Sequence, residues 1–135
     1  MRDIYSNVLV KQSLTPAVRT ATATGTAVDR NAGGGAMFQN ALVVVTTGVI
    51  TDATHTITVE DSADGTSYAT VAAEYLQGTA PAIVAADDSK TYELGYLGRK
   101  RYLRVVSTVA GATTGGAVAA LVVLSDPRVT PVVRA

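Results

Sequence analysis

Two blocks of sequence constrain the fold most: ALVVVTTGVITDATHTITVEDSADG, residues 41–65, and LGYLGRKRYLRVVSTVAGATTGGAVAALVVLSDPR, residues 94–128. Each runs from an apolar, β-branched stretch through a Gly/Thr/Ala-rich link into a second such stretch, and each reads as a long β-hairpin. Within the first block Thr54–Glu60 alternates, with His55, Ile57 and Val59 on one face. Leu42–Val45 is continuously apolar, as for a central strand covered on both faces. In the second block Tyr102–Val109 places Leu103, Val105, Ser107 and Val109 on one face, and Ala117–Leu124 is a further buried strand. The link segments 47–54 and 108–114 echo each other in composition and position.

The rest of the chain extends this pattern. The Thr/Ala alternation at 20–24 and Pro16 argue against helix, so residues 1–24 are expected to form an extended arm lying on its own sheet or on a neighbour's surface. Gly25–Arg30 suits a short strand that ends at the loop Gly33-Gly34-Gly35. Asp61–Gly65 is a turn, Thr66–Val71 and Thr91–Leu97 are strands, and Ile83-Val84 is a short one. Residues 72–77 fit either one or two helical turns or an irregular edge crossing. Around eight strands predict an all-β, two-sheet antiparallel sandwich, jelly-roll-like, over residues 25–126. An extended N-terminal arm (1–24) and an extended C-terminal tail (127–135) flank it.

Composition limits what such a sandwich can do. The 135 residues make one domain, large enough for a core without staples, and the absence of Cys removes disulfides and thiolate sites. Eleven Lys+Arg balance eleven Asp+Glu, so no net field draws nucleic acid or an anionic membrane. MRDIYSNVLVKQ lacks the apolar core of a secretory signal, and Ala117–Leu124 falls well short of the ~18–20 residues of a membrane span.

Residues able to move protons or hold metals are scarce. His55 is the only histidine and reads as a packing residue. Asp61 and Asp64 precede Gly65 but lack the further ligands of a calcium loop, leaving a turn with at most weak cation affinity. Asp87 and Asp88 read as a solvated loop, and the glycine run lacks the Lys-Ser/Thr of a phosphate cradle. No catalytic set, metal site or cofactor is implied. The concentrated charge is Arg99-Lys100-Arg101, with Arg104, Tyr96 and Tyr102 close in sequence. It fits a solvated hairpin end, a small nucleic-acid groove, or a contact that pairs with carboxylates of a neighbouring subunit.

The segments MRDIYSN (1–7), AVRTATATGTAVD (17–29), GYLGRKRYLRVV (95–106) and TVAGATTGGAVAALVVLSDPR (108–128) together resemble small virion structural proteins of tailed bacteriophages. In size and all-β character the chain is similar to head-decoration, or cement, proteins. That resemblance implies a non-enzymatic protein on the outer capsid surface that clamps joints between major capsid subunits. It also implies self-association, with a homotrimer as the first expectation, and no nucleic-acid or membrane partner. Exposure and charge nominate Ile4, Tyr5, Val8 and Val10 of the arm and Arg99, Lys100 and Arg101 as contact residues. Deletion of residues 1–15 is then expected to leave a folded domain that no longer binds capsids. A tail or neck component and a carbohydrate-binding module are the alternatives. The absence of Trp and an aromatic content of 5% count against the latter.

Overall fold

The computed structural model describes residues 3–134 and is an all-β sandwich of two antiparallel sheets. Met1, Arg2 and Ala135, the outermost residues of the two expected arms, lie outside the described residues. The strands are β1 Val8–Arg19, β2 Ala23–Thr24, β3 Val28–Asp29, β4 Asn40–Ile50, β5 Thr54–Ser62, β6 Ala69–Thr70, β7 Leu76–Gln77, β8 Ala82–Ile83, β9 Thr91–Tyr96, β10 Tyr102–Ala110 and β11 Gly116–Ser125. One sheet has the order β1-β11-β4-β9-β7. In the other β10 and β5 form the centre, with β2 and β3 along one side and β6 and β8 along the other.

The two long blocks are therefore not hairpins. β4 and β5 lie in opposite sheets, as do β10 and β11, so each link crosses the sandwich. Inward side chains explain the arrangement: Val43 and Val45 of β4 face a common core with His55, Ile57 and Val59 of β5, all buried. A hairpin would put both strands in one layer, leaving the second sheet to be supplied from elsewhere. The two crossings brace each other. The Asp52 carboxylate accepts the N–H groups of Thr113, Thr114 and Gly115 at 2.7–3.1 Å, and Thr51 N–H donates to the Gly115 carbonyl at 3.0 Å. The compositional echo thus marks two crossings that meet at one end of the sandwich.

The expectation that Leu42–Val45 is covered on both faces also fails. Val43 and Val45 are fully buried, whereas Leu42 and Val44 are half-buried, because the sheet has a second layer on one side only. Thr66–Val71 contributes only β6. The N–H groups of Thr66 and Ser67 donate instead to Asp64 Oδ1 at 2.9 and 3.0 Å, which holds those residues in the turn. Both options for 72–77 are realised in sequence: a 3-10 turn at Ala73–Tyr75, then β7 at the sheet edge.

The N-terminal segment is extended and lies on its own sheet. β1 pairs with β11 from Val8↔Ser125 to Arg19↔Gly116, and Leu9 and Leu14 enter the core. Fully burying such side chains is worth about 1.5–3 kcal/mol each. Removal of residues 1–15 would therefore take part of the core away, contrary to the truncation expected from sequence. A bulge between Gln12 and Leu14 re-aims Ser13 inward. Its Oγ donates to the Thr26 carbonyl at 2.9 Å and accepts Val105 N–H at 3.0 Å, joining the two sheets where the β10 ladder passes from β2 to β3. Gly25 is required there, since a Cβ would stand 2.4 Å from Ser13 Oγ and 2.6 Å from the Val105 carbonyl.

The glycine run forms a tight turn with φ near +75° at all three residues, and the C-terminal tail sits against it. Val133 N–H donates to the Gly33 carbonyl at 3.1 Å, Val132 N–H donates to the Ser6 carbonyl at 3.0 Å, and Val132 is buried. A Cβ on Gly33 or Gly34 would come within 2.9 Å of Val132 or Val133, so a side chain would displace the tail.

Candidate interaction surface

Register places the nominated residues at one end of the sandwich. Val8, Ser125 and Asn40 lie side by side in one sheet, and Asp29, Tyr102 and Ser62 do so in the other. The turn before β1, the glycine turn, the C-terminal tail and the β9–β10 crossing all gather there.

Ile4, Tyr5, Val8 and Val10 are brought together. Asp3 Oδ1 accepts Ser6 N–H at 2.7 Å and Asn7 N–H donates to the Ile4 carbonyl at 3.0 Å, closing a tight turn. That turn leaves Ile4 68% and Tyr5 72% exposed. The Arg134 guanidinium lies 3.7 Å from the centre of the Tyr5 ring and donates to the Tyr5 and Val8 carbonyls. These residues, with Val10 and Lys11, line a shallow recess of about 440 Å³. Val10 stands on the outer face of its sheet in register with Val123 and Leu42, continuing the apolar surface inward from the end.

Arg99, Lys100 and Arg101 belong to the crossing between β9 and β10, not to a hairpin end. Lys100 Nζ is 3.2 Å from Asp61, a buried carboxylate that also accepts the Tyr96 hydroxyl at 2.7 Å. Burial, followed by this hydrogen bond, pushes the Tyr96 phenol far above its ordinary range. Arg101 makes a two-pronged pair with Asp29 at 2.8 Å on each oxygen, which lowers the Asp29 pKa and raises that of Arg101. Arg99 makes no ion pair among the described residues.

Two residues that sequence reasoning did not nominate complete the basic surface. Arg30, which follows β3, and Arg128, in the tail, join Arg99 and Arg101 around a cleft of about 630 Å³ that also exposes Met37 and Leu97. Arg30 lies 69 residues from Arg99, so only the β3–β10 pairing could have linked them.

His55 and the acidic residues of the 61–65 turn and the 87–88 loop are tied into the fold. His55 is fully buried with Nε2 3.3 Å from the Asp52 carbonyl. Asp64 gathers the N–H groups of Ser67 and Thr66 and the Ser62 hydroxyl, which hold its carboxyl down at about 2. In the acidic turn at 61–65, both Asp61 oxygens and Asp64 Oδ1 are thus engaged by protein donors. Asp87 accepts Val84 N–H at 3.0 Å and pairs with Lys90 at 2.8 Å, while Asp88 accepts Ile50 N–H at 2.7 Å, so these two clasp a loop against β4. Among the described residues no group of three or more His, Cys, Asp or Glu is placed to hold a metal ion. No helix there is long and apolar enough to cross a membrane. No protein-family model matches the chain, and no curated protein matches it.

Proposed function

We propose that the chain is a non-enzymatic structural protein of a tailed-phage virion, decorating the outer capsid surface and stabilising it by clamping joints between major capsid subunits. The observation that carries this reading is where the apolar surface lies. Of the eleven large apolar side chains well exposed among the described residues, five (Ile4, Tyr5, Val10, Val129 and Val133) lie on the two terminal segments where these meet at one end of the sandwich. Exposed apolar side chains grouped in this way mark a contact surface. Here they sit on segments fastened to each other and to a rigid sandwich, so little ordering entropy is lost on docking.

Strand order supports the jelly-roll reading. One sheet runs β1-β11-β4-β9-β7, the other runs from β2 and β3 through β10 and β5 to β6 and β8, and from β4 onward successive long strands change sheets. Jelly rolls are frequent in capsid proteins, although the fold alone does not set a function. A protein that binds only the assembled shell shifts the equilibrium away from disassembly, and several contacts per oligomer multiply the effect. Self-association, with a homotrimer as the first expectation, belongs to the same proposal. The half-buried apolar rows of Leu42, Val44, Leu121 and Val123 on the outer sheet face are in keeping with it.

The test adds purified protein to capsids lacking it and follows co-sedimentation and thermal disassembly. The wild-type chain should bind and delay disassembly, and an Ile4→Ser/Tyr5→Ser/Val10→Ser variant should stay folded and bind far more weakly. No binding by the wild-type chain contradicts the function, and unchanged binding by the variant removes the terminal surface from it.

A further inference from the structure

Arg30 is a buried cation without an anion. It is only 8% exposed, and its guanidinium donates to the carbonyls of Gly98 (3.2 Å), Lys100 (3.0 Å) and Gln39 (2.6 Å), all neutral acceptors. Its Nε is buried with no partner among the described residues, and the Tyr96 ring lies 5.5 Å away. Buried charges are ordinarily paired, because desolvating an ion is costly unless a counter-charge offsets it. Burial accordingly lowers the Arg30 pKa.

The cleft that Arg30 lines has the same imbalance. Arg99, Arg101 and Arg128 rim it, and Asp29, bound to Arg101, is the one carboxylate in ion-pair contact with any of the four guanidiniums among the described residues. Its walls also carry apolar surface: Met37 is 50% and Leu97 53% exposed. Met37 is held outward by a left-handed backbone, φ +51°, beside the glycine turn. The cleft thus offers excess positive charge for an anion and apolar side chains for something that accompanies it.

We propose that this cleft binds an extended segment of a partner protein in which an Asp or Glu adjoins an apolar residue. The carboxylate engages Arg99 and Arg128 and compensates Arg30, while the apolar neighbour covers Leu97 and Met37. Arginine forks suit carboxylates, and charge-assisted bonds in a partly desolvated cleft are the strong ones. A nucleic-acid strand fits less well, because the chain has no net positive charge and the one aromatic side chain in the cleft's lining, Phe38, is only 3% exposed and offers no free ring face for bases to stack on. The inference rests on the capsid reading only for the origin of the segment, a capsid subunit.

The experiment titrates the full isotope-labelled chain with the blocked peptide acetyl-Leu-Asp-Glu-Leu-amide and follows backbone amide shifts. Controls are acetyl-Leu-Asn-Gln-Leu-amide and a short single-stranded oligothymidylate. The acidic peptide should shift amides at 30, 37–39, 97–101 and 128, and binding should weaken as salt is raised. An Arg99→Gln/Arg128→Gln variant alters exposed side chains, so its spectrum should report an intact fold. Its affinity for the peptide should fall by roughly tenfold or more. Equal binding of the amide peptide, preferential binding of the oligonucleotide, shifts elsewhere, or none at about 1 mM peptide would each overturn the proposal. Peptide failure with capsid binding intact removes the cleft and leaves the function standing. Peptide binding by a chain that ignores capsids supports the cleft and excludes the capsid as its source.

Discussion

Ser107 illustrates how far a single side chain departs from what its neighbours require. It points into the core between Val105 and Val109, is fully buried, and its hydroxyl finds no partner among the described residues. An unpaired buried hydroxyl is desolvated without compensation, so Ser107→Ala should leave stability unchanged or raise it by up to about 1 kcal/mol. Urea denaturation reads this directly, and a clear loss of stability would mean that the hydroxyl is bonded. Carboxylates act in the opposite sense. Asp64, Asp29 and Asp52 all have folded pKa values below the ordinary 3.8, with Asp64 at about 2. Their stabilising contribution is therefore complete above about pH 5 and is lost as pH falls through 3.8 towards 2. Unfolding midpoints should be flat from neutrality down to that point and then drop, and Asp64→Asn should make the drop shallower. A midpoint that rises on acidification would contradict the assignment.

At the scale of elements, most of the long strands were legible in the sequence and their partners were not, while β1, the longest, read only as an extended arm outside the sandwich. Alternation over Thr54–Glu60 and Tyr102–Val109 identifies the buried faces correctly because side-chain period depends only on the local backbone. Whether a short link returns a strand to its own sheet or carries it across depends on contacts such as Asp52 with Thr113–Gly115, which join residues some sixty positions apart. The candidate surface divides in the same way. Ile4, Tyr5, Val8, Val10 and Arg99 could be named from composition, but Arg30 and Arg128 reach the cleft only through long-range pairing. The true extent of β1 has a measurable consequence. Removing residues 1–7 should leave a folded sandwich that lacks Ile4 and Tyr5 and binds capsids weakly. Removing residues 1–15 also takes Leu9 and Leu14, worth about 1.5–3 kcal/mol each, a large share of an ordinary domain's ~5–15 kcal/mol. Circular dichroism should show the first truncation folded and the second largely unfolded. Two equally stable truncations would mean that β1 is dispensable.

For the whole molecule, the features at one end of the sandwich have a common consequence. Apolar termini fastened together and a cation-rich cleft lie at one end of a sandwich braced at the other, which is the arrangement the proposed function requires of a rigid body docking through the first end. A rigid body of this kind gains affinity from repetition, since each added contact on an ordered lattice is intramolecular once the first has formed. A decoration protein should therefore be present in fixed proportion to the lattice it covers. The most direct measurement is quantitative mass spectrometry of purified virions, counting copies of this chain per major capsid subunit. The account predicts a ratio near one or a simple fraction of it. A few dozen copies or fewer per particle would place the chain in the neck or tail, and complete absence from virions would contradict the capsid function outright.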